Sequence, residues 1–180
     1  MIKIKRLDES DLAGVTSIDV SESGEERYQL VDGELNIVQQ SWQRPFWDAD
    51  AWPQRLQSWA QKLKPDCYLG AYDGERMVGI AGLRYRLTPT MAQLTSLYID
   101  VNYRRQGVAH QLVEEVFRLS RESGAQTIYV SSKPSIPAVS FYRRHGFQPT
   151  NVPHPALFAQ QPLDIHMVRS FGVDDEETTQ

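Results

Sequence analysis

Apolar and polar residues alternate over Ile2-Lys3-Ile4-Lys5-Arg6-Leu7, which predicts an opening strand. Residues 8–20 then read as a helix, with Ser10 or Asp11 as possible N-caps. From 21 to 50 the pattern turns acidic, then aromatic, and fixes no element beyond a turn at Asp32-Gly33. Helical spacing returns at Trp52, Leu56, Trp59 and Leu63, predicting a helix over 51–63 that Pro65-Asp66 stops. Strands over 67–72 and 77–87 flank Asp73-Gly74, a hairpin signature. Thr88-Pro89-Thr90 turns the chain into a further strand, 94–101. Val108, Leu112, Val116 and Leu119 share one helical face, so a helix starts near Gly107. A strand follows over 127–132. Pro134 breaks it, and a short helix over 135–144 closes at Gly146. A Pro-rich loop over 148–163 and a strand over 165–171 complete the pattern. The order of strand, helix, three hairpin-linked strands, helix, strand, helix, strand predicts an α+β fold with a mixed central sheet.

No internal repeat or low-complexity linker divides the chain, so one domain is expected over 1–172. The acidic stretch 173–180 is expected to be a disordered tail. The 180 residues, 41% hydrophobic, suffice for a sizeable core. A net charge of −4 argues against binding nucleic acid by general basic attraction. The single cysteine, Cys67, has no partner for an internal disulfide, which fits a reducing compartment. The start of the chain has no apolar run suited to a signal peptide, and no segment approaches the ~18 apolar residues of a membrane span. A cytoplasmic protein without nucleic-acid or membrane partners is the simplest expectation.

The candidate chemistry concentrates after the strand 94–101. Helix N-termini usually attract Asp or Glu, because the first amide N–H groups are unpaired and the dipole is positive there. Here Arg104 and Arg105 lead in, Gly107 bares the backbone, and no acid follows until Glu114. Such a start suits an external anion, most simply a phosphate. The alternative is a pair of solvated arginines and a turn glycine. The dinucleotide pattern Gly-x-Gly-x-x-Gly is absent, and so is the Gly-Lys-Ser/Thr of a nucleotide P-loop. His110, His145, His154 and His166 lack a metal-ligand spacing, so no metal is expected.

The run Arg104-Arg105-Gln106-Gly107-Val108-Ala109 resembles the Arg/Gln-x-x-Gly-x-Gly/Ala motif of the GNAT superfamily of N-acetyltransferases. Downstream, Ser135-Ile136-Pro137-Ala138-Val139-Ser140-Phe141-Tyr142-Arg143-Arg144-His145-Gly146-Phe147 resembles its second motif, in which Asn-x-x-Ala leads to a Tyr and then a Gly-Phe. The resemblance spans roughly 1–171 and is weakest over 21–66. It implies a GNAT-type, mainly antiparallel central sheet flanked by helices. It also implies acetyl-CoA as co-substrate and direct attack by a primary amine in a ternary complex.

The resemblance further assigns roles. Arg104, Arg105, Gln106, Gly107, Val108 and Ala109, with His110 beside them, would hold the pyrophosphate. Ile99 and Val101, with Asp100 between, would lie on a bulged strand end whose backbone bonds the pantetheine arm and thioester carbonyl. An ordinary buried strand is the alternative. Ser135 stands where the family often has Asn, and is either a cofactor contact or an N-cap. Tyr142 would protonate the leaving thiolate, for which a phenol of pKa about 10 is a plausible donor. Its alternative is a core aromatic beside Phe141 and Phe147.

The acceptor stays open among small-molecule amines and peptide amines. The region before 66 would supply its pocket. Glu22, Glu25, Glu26, Asp32, Glu34, Asp48 and Asp50, with Tyr28, Trp42, Phe46, Trp47 and Trp52, would suit a cationic amine. A solvated acidic loop over an aromatic cluster explains most of them as well. Some family members place a basic Glu on the fourth strand; the equivalent here is Gln93, which cannot take a proton near neutral pH. The base would then be Glu34, Asp48, Asp164, His166 or, as favoured here, a water chain on backbone carbonyls. Transfer of a longer acyl group, a non-catalytic acyl-CoA sensor and a homodimer also stay open. A nucleotide-binding switch is disfavoured by the missing P-loop lysine.

Overall fold

The computed structural model describes residues 1–172; the acidic tail expected over 173–180 lies outside the described residues. Strands β1 (Ile2–Arg6), β4 (Cys67–Asp73), β5 (Arg76–Thr88) and β6 (Met91–Ile99) pair antiparallel in that order. Helix α2 (Val108–Glu122) then crosses over, so that β7 (Thr127–Ser132) runs parallel to β6. Strand β9 (Ile165–Ser170) pairs antiparallel with β7, and the two-residue β8 (Gln148–Pro149) ends the sheet. This seven-stranded, mainly antiparallel sheet is the architecture the sequence predicts.

Strand alternation gives the sheet two apolar faces. Leu69 and Ala71 of β4 face the cluster that holds Val108, Leu112, Val116 and Phe117 of α2, together with Val139 of α3 (Ile136–Arg144). Tyr68 and Tyr72, their neighbours on β4, face Val15, Trp47, Trp52 and Trp59 on the opposite side. There α1 (Ala51–Lys62) docks through Trp59, whose ring stacks on Tyr98 of β6 at 5.4 Å between centroids. Among the described residues no helix is long and apolar enough to cross a membrane.

Four regions differ from the sequence reading. The helix expected over 8–20 is only a 3-10 helix, Asp11–Ser17. Gly14 and the β-branched pair Val15-Thr16 weaken α-helix there, and only Val15 is buried. Residues 21–50 contain a two-stranded hairpin, β2 (Glu22–Val31) and β3 (Glu34–Arg44). Its turn falls at Asp32-Gly33, where φ angles of 50° and 81° favour these residue types. The strand expected over 94–101 runs from Met91 to Ile99, and Val101–Tyr103 form a separate 3-10 turn. The loop 148–163 also carries β8 and a short helix, α4 (Pro155–Gln160).

Candidate active site

The parallel pairing of β6 with β7 covers only Met91–Leu94 against Thr127–Val130. Beyond it, Ser131 and Ser132 pair with β9 alone, while β6 continues along β5. The two strands therefore part. The register on β5 also slips, since Gly82 opposes Ser96 whereas Leu83 opposes Leu94. Thr95 is the extra residue of a bulge, which bends β6 at the start of the gap. Past the bulge, the N–H of Asp100 bonds Val78 on β5. Alternation then turns the main-chain groups of Leu97 and Ile99 away from β5, into the gap. Sequence reasoning singled out Ile99 and missed Leu97, whose direction depends on a register that no motif encodes.

The gap ends beside the turn into α2. Gly107 takes φ 80°, and a Cβ there would meet nothing within 4 Å. The glycine thus serves the backbone angle and leaves an open face. The first helical bond runs from Gln111 N–H to Gly107 O at 3.0 Å. The N–H groups of Val108, Ala109 and His110 precede it, have no intrahelical acceptor, as in any first turn, and have no other acceptor among the described residues. Val108 anchors this turn in the core at 1% exposure, and Ala109 is half-buried. Arg105 is exposed at φ 60°, and Gln106 Nε2 donates to Asn102 O at 2.8 Å. His110 Nδ1 lies 3.0 Å from His145 Nε2, joining the turn to the end of α3.

The other strand-end residues serve the protein itself. Arg104 turns inward, donating from Nη1 to Ser21 O at 3.0 Å and from Nε to Ile99 O at 3.3 Å. Glu22 lies 3.8 Å from its guanidinium. Asp100 is fully buried and accepts from Asp19 N–H, Asn102 N–H and Arg76. The N–H of Val101 bonds Asp19 O at 2.8 Å. Only Ile99, of these three strand-end residues, turns an N–H into the gap. Ser135 caps α3, accepting from Ala138 N–H at 3.3 Å.

Tyr142 projects from α3 with 7% exposure, braced edge-on by Phe141 and Phe147, each at 5.5 Å. Among the described residues no group bonds its hydroxyl. Burial pushes the phenol well above its usual pKa, with nearby Tyr98 adding to the shift. Tyr142 lines a cavity of about 250 Å³ along the gap, with Gln93, Thr95, Ser96 and Ser131. Gln93 Oε1, Thr95 Oγ1 and Ser96 Oγ are buried there without partners among the described residues. Buried polar atoms rarely stay unbonded, so this wall can take up a hydrogen-bonding molecule such as water. A larger cavity, about 630 Å³, lies between the β2–β3 hairpin and the 150–166 segment and does not reach Tyr142.

None of the seven candidate acids of 21–50 lines the Tyr142 cavity, and four of them are engaged elsewhere, while Asp32 lines the larger one. Glu22 pairs with Arg44, Glu25 with Ser41 and Glu26 with Gln39. Asp48 accepts from the N–H groups of Asp50 and Ala51, at the start of α1. His166 donates from Nε2 to Gln161 O, and its Nδ1 accepts from Tyr129 OH at 2.6 Å. Asp164 is the carboxylate that does line the cavity. Its side chain is 6% exposed and lies 3.4 Å from Lys133 Nζ. Burial raises its pKa, against the opposing pull of Lys133 and His166. Among the described residues no group of three or more His, Cys, Asp or Glu side chains is placed to hold a metal.

The family model for the acetyltransferase (GNAT) family matches residues 34–147, more than half of the chain. The chain belongs to this family, whose co-substrate is acetyl-CoA. N-acetyltransferase 8 of Homo sapiens is 32% identical over 89 residues, covering 47% of this chain and 39% of that relative. The chain thus matches less than half of that curated relative's length. In shape it is similar to a nourseothricin acetyltransferase, with TM-score 0.72 and 18% identity over 94% of this chain and 98% of that one. A Bacillus anthracis structure assigned as a streptothricin acetyltransferase, in complex with acetyl coenzyme A, gives 0.73 and 17% over 96% and 99%.

Proposed function

We propose that the chain is an acetyl-CoA-dependent N-acetyltransferase, acting on a primary amine by direct attack in a ternary complex, with residues 1–172 as its domain. The observation that carries this reading is the gap between β6 and β7, opening beside the unpaired N–H groups of Val108, Ala109 and His110. The residues present fit the co-substrate. The open face at Gly107 and the positive helix end suit a pyrophosphate, with exposed Arg105 beside them. The main-chain groups of Leu97 and the N–H of Ile99, whose carbonyl accepts from Arg104, suit an amide-bearing arm laid along the gap as a strand would be.

When bound, acetyl-CoA supplies the thioester: a C–N bond forms, the C–S bond breaks, the amine releases one proton and the sulfur receives one. The N–H of Ile99 would polarise the carbonyl, an oxyanion-type contribution. Tyr142, kept neutral by its burial, holds a proton that its hydroxyl can give to the sulfur. Gln93 cannot act as base. Its orphaned oxygen and those of Thr95 and Ser96 support a water chain that carries the amine's proton away.

The test is a panel of primary amines with acetyl-CoA, read by thiol release. Turnover with at least one amine, and equal formation of acetylated product and free thiol, is expected. Calorimetric binding of CoA without turnover across the panel would instead make the protein a sensor.

A further inference from the structure

We propose that the acceptor is a small amine that itself carries an anion, a carboxylate or a phosphate. This rests on the acetyltransferase reading and names the substrate class of the same cavity.

The rim of the cavity is cationic. Arg44, Arg55, Lys62 and Lys133 line it, and among the described residues Asp164 is the one carboxylate in its lining. An adjoining space of about 310 Å³ shares Arg44, Arg55 and Lys133, adds Arg27 and has no acid in its lining among the described residues. These cations gather in a chain whose net charge is −4, so the local sign opposes the average. Two of them are already committed. Arg44 pairs with Glu22 and donates to Val20 O, and Lys133 approaches Asp164. Arg55 and Lys62 make no ion pair among the described residues. They sit two turns apart on one face of α1, and Arg55 is held over the Trp47 ring at 4.6 Å.

This cluster is separate from the pyrophosphate turn. Helix α1 packs on the sheet face that carries Tyr68, Tyr72 and Tyr98, whereas α2 packs on the other face. The cavity is also graded from rim to interior. Arg55 and Lys62 are exposed, while Gln93 and Ser96 are 1% and 8% exposed. The buried wall offers oxygen atoms that can accept from an amine N–H, and the exposed rim offers cations. That order suits an amine pointing inward with an anionic group trailing at the rim.

The field does two further things. It attracts anionic acceptors and repels polycations. It also lowers the pKa of an amine bound within it, because a neighbouring positive charge disfavours the ammonium form. More of the bound amine is then the nucleophilic free base, without a dedicated basic side chain.

The test uses matched probes: L-alanine against L-alaninamide, phosphoethanolamine against ethanolamine, and spermidine as a polycation. Each is assayed for acetylation and is also titrated calorimetrically into the CoA-saturated protein. The anionic member of at least one pair is expected to exceed its neutral partner by about tenfold or more in kcat/KM or in affinity. The alanine and phosphoethanolamine pairs separate carboxylate from phosphate. In an Arg55→Gln/Lys62→Gln protein that preference should collapse, while the dissociation constant of CoA stays unchanged. Equal or better use of the neutral partners or spermidine overturns the inference, as does a preference that survives the double substitution. Failure of every probe to bind the CoA-saturated protein overturns it too. Absence of CoA binding itself would overturn the acetyltransferase reading instead.

Discussion

Asp100 and Arg76 meet at 2.9 Å, tying the turn that follows β6 to the start of β5. The carboxylate is wholly buried, while the arginine side chain is 47% exposed. Asp100 also accepts from two backbone N–H groups, one of them on the segment entering β2. Replacing Asp100 with Ala leaves those donors without a partner and should cost about 3 kcal/mol in urea unfolding. Arg76→Ala should cost about 1 kcal/mol, because water already reaches that partner. Equal losses from the two substitutions would contradict this ordering.

Arg104 and Arg105 are adjacent but should behave differently. Arg105→Ala is expected to weaken CoA binding by about 1–3 kcal/mol, the range of a charge-assisted bond, with little change in melting temperature. Arg104→Ala should act first on stability, because its guanidinium clamps Ser21 and Ile99. Gly107→Glu puts negative charge and a strained φ at the anion turn and should abolish CoA binding. Gly107→Ala separates the two effects, costing about 1–3 kcal/mol of strain without the charge. Calorimetry beside thermal melts reads both. Wild-type CoA affinity in a folded Gly107→Glu protein would refute the assignment of this turn.

Tyr142→Phe keeps the ring between Phe141 and Phe147 and removes only the hydroxyl. Turnover is expected to fall by about 10²-fold or more, with acetyl-CoA affinity little changed. An unaltered turnover number, with chemistry limiting the rate, would return Tyr142 to a packing role.

Gln93→Ala removes an orphaned oxygen rather than a base, so turnover should fall less than about tenfold. The rate should follow the appearance of free amine as pH rises, with no separate enzyme ionisation near pH 6–7. Such an ionisation, if lost in one carboxylate mutant, would name that residue as the base.

Burial raises the pKa of Asp164, so the folded protein holds that proton more tightly than the unfolded chain does. Ionisation of Asp164 therefore erodes stability as pH climbs from the ordinary carboxylate value of about 4 through the raised folded value. Wild type should lose stability relative to Asp164→Asn across that interval and run parallel to it above. Urea midpoints of both proteins at stepped pH measure the difference. A wild-type protein that gains on the mutant as pH rises would show that Lys133 outweighs burial.

The long helix and its glycine were legible in the sequence because a 3.6-residue stripe and an acid-free first turn are local patterns. The β2–β3 hairpin was not, apart from Asp32-Gly33. Its strands interleave half-buried and exposed positions with little apolar alternation, since they pair with each other outside the main sheet. The acids of 21–50 suggested a cationic acceptor by proximity in sequence. In three dimensions Glu22, Glu25 and Glu26 bond Arg44, Ser41 and Gln39, and the cavity is instead reached by Arg44, by Arg55 and Lys62 of α1, and by Lys133 beyond β7. The inward turn of Arg104 was equally hidden. Charge patterning reports that an arginine is present, but not that Ser21 O lies within its reach.

The four-residue seam between β6 and β7 makes the middle of this sheet an incomplete ladder. Amides of Leu97 and Ile99, in the interior of a seven-stranded sheet, should exchange their hydrogens like those of an edge. A ligand laid in the gap would supply the missing rungs and slow that exchange. The protein's resistance to unfolding is then tied to coenzyme supply, rising by about 2.7 kcal/mol at a hundred times the dissociation constant. A cell short of acetyl-CoA would hold this fold in its weakest form.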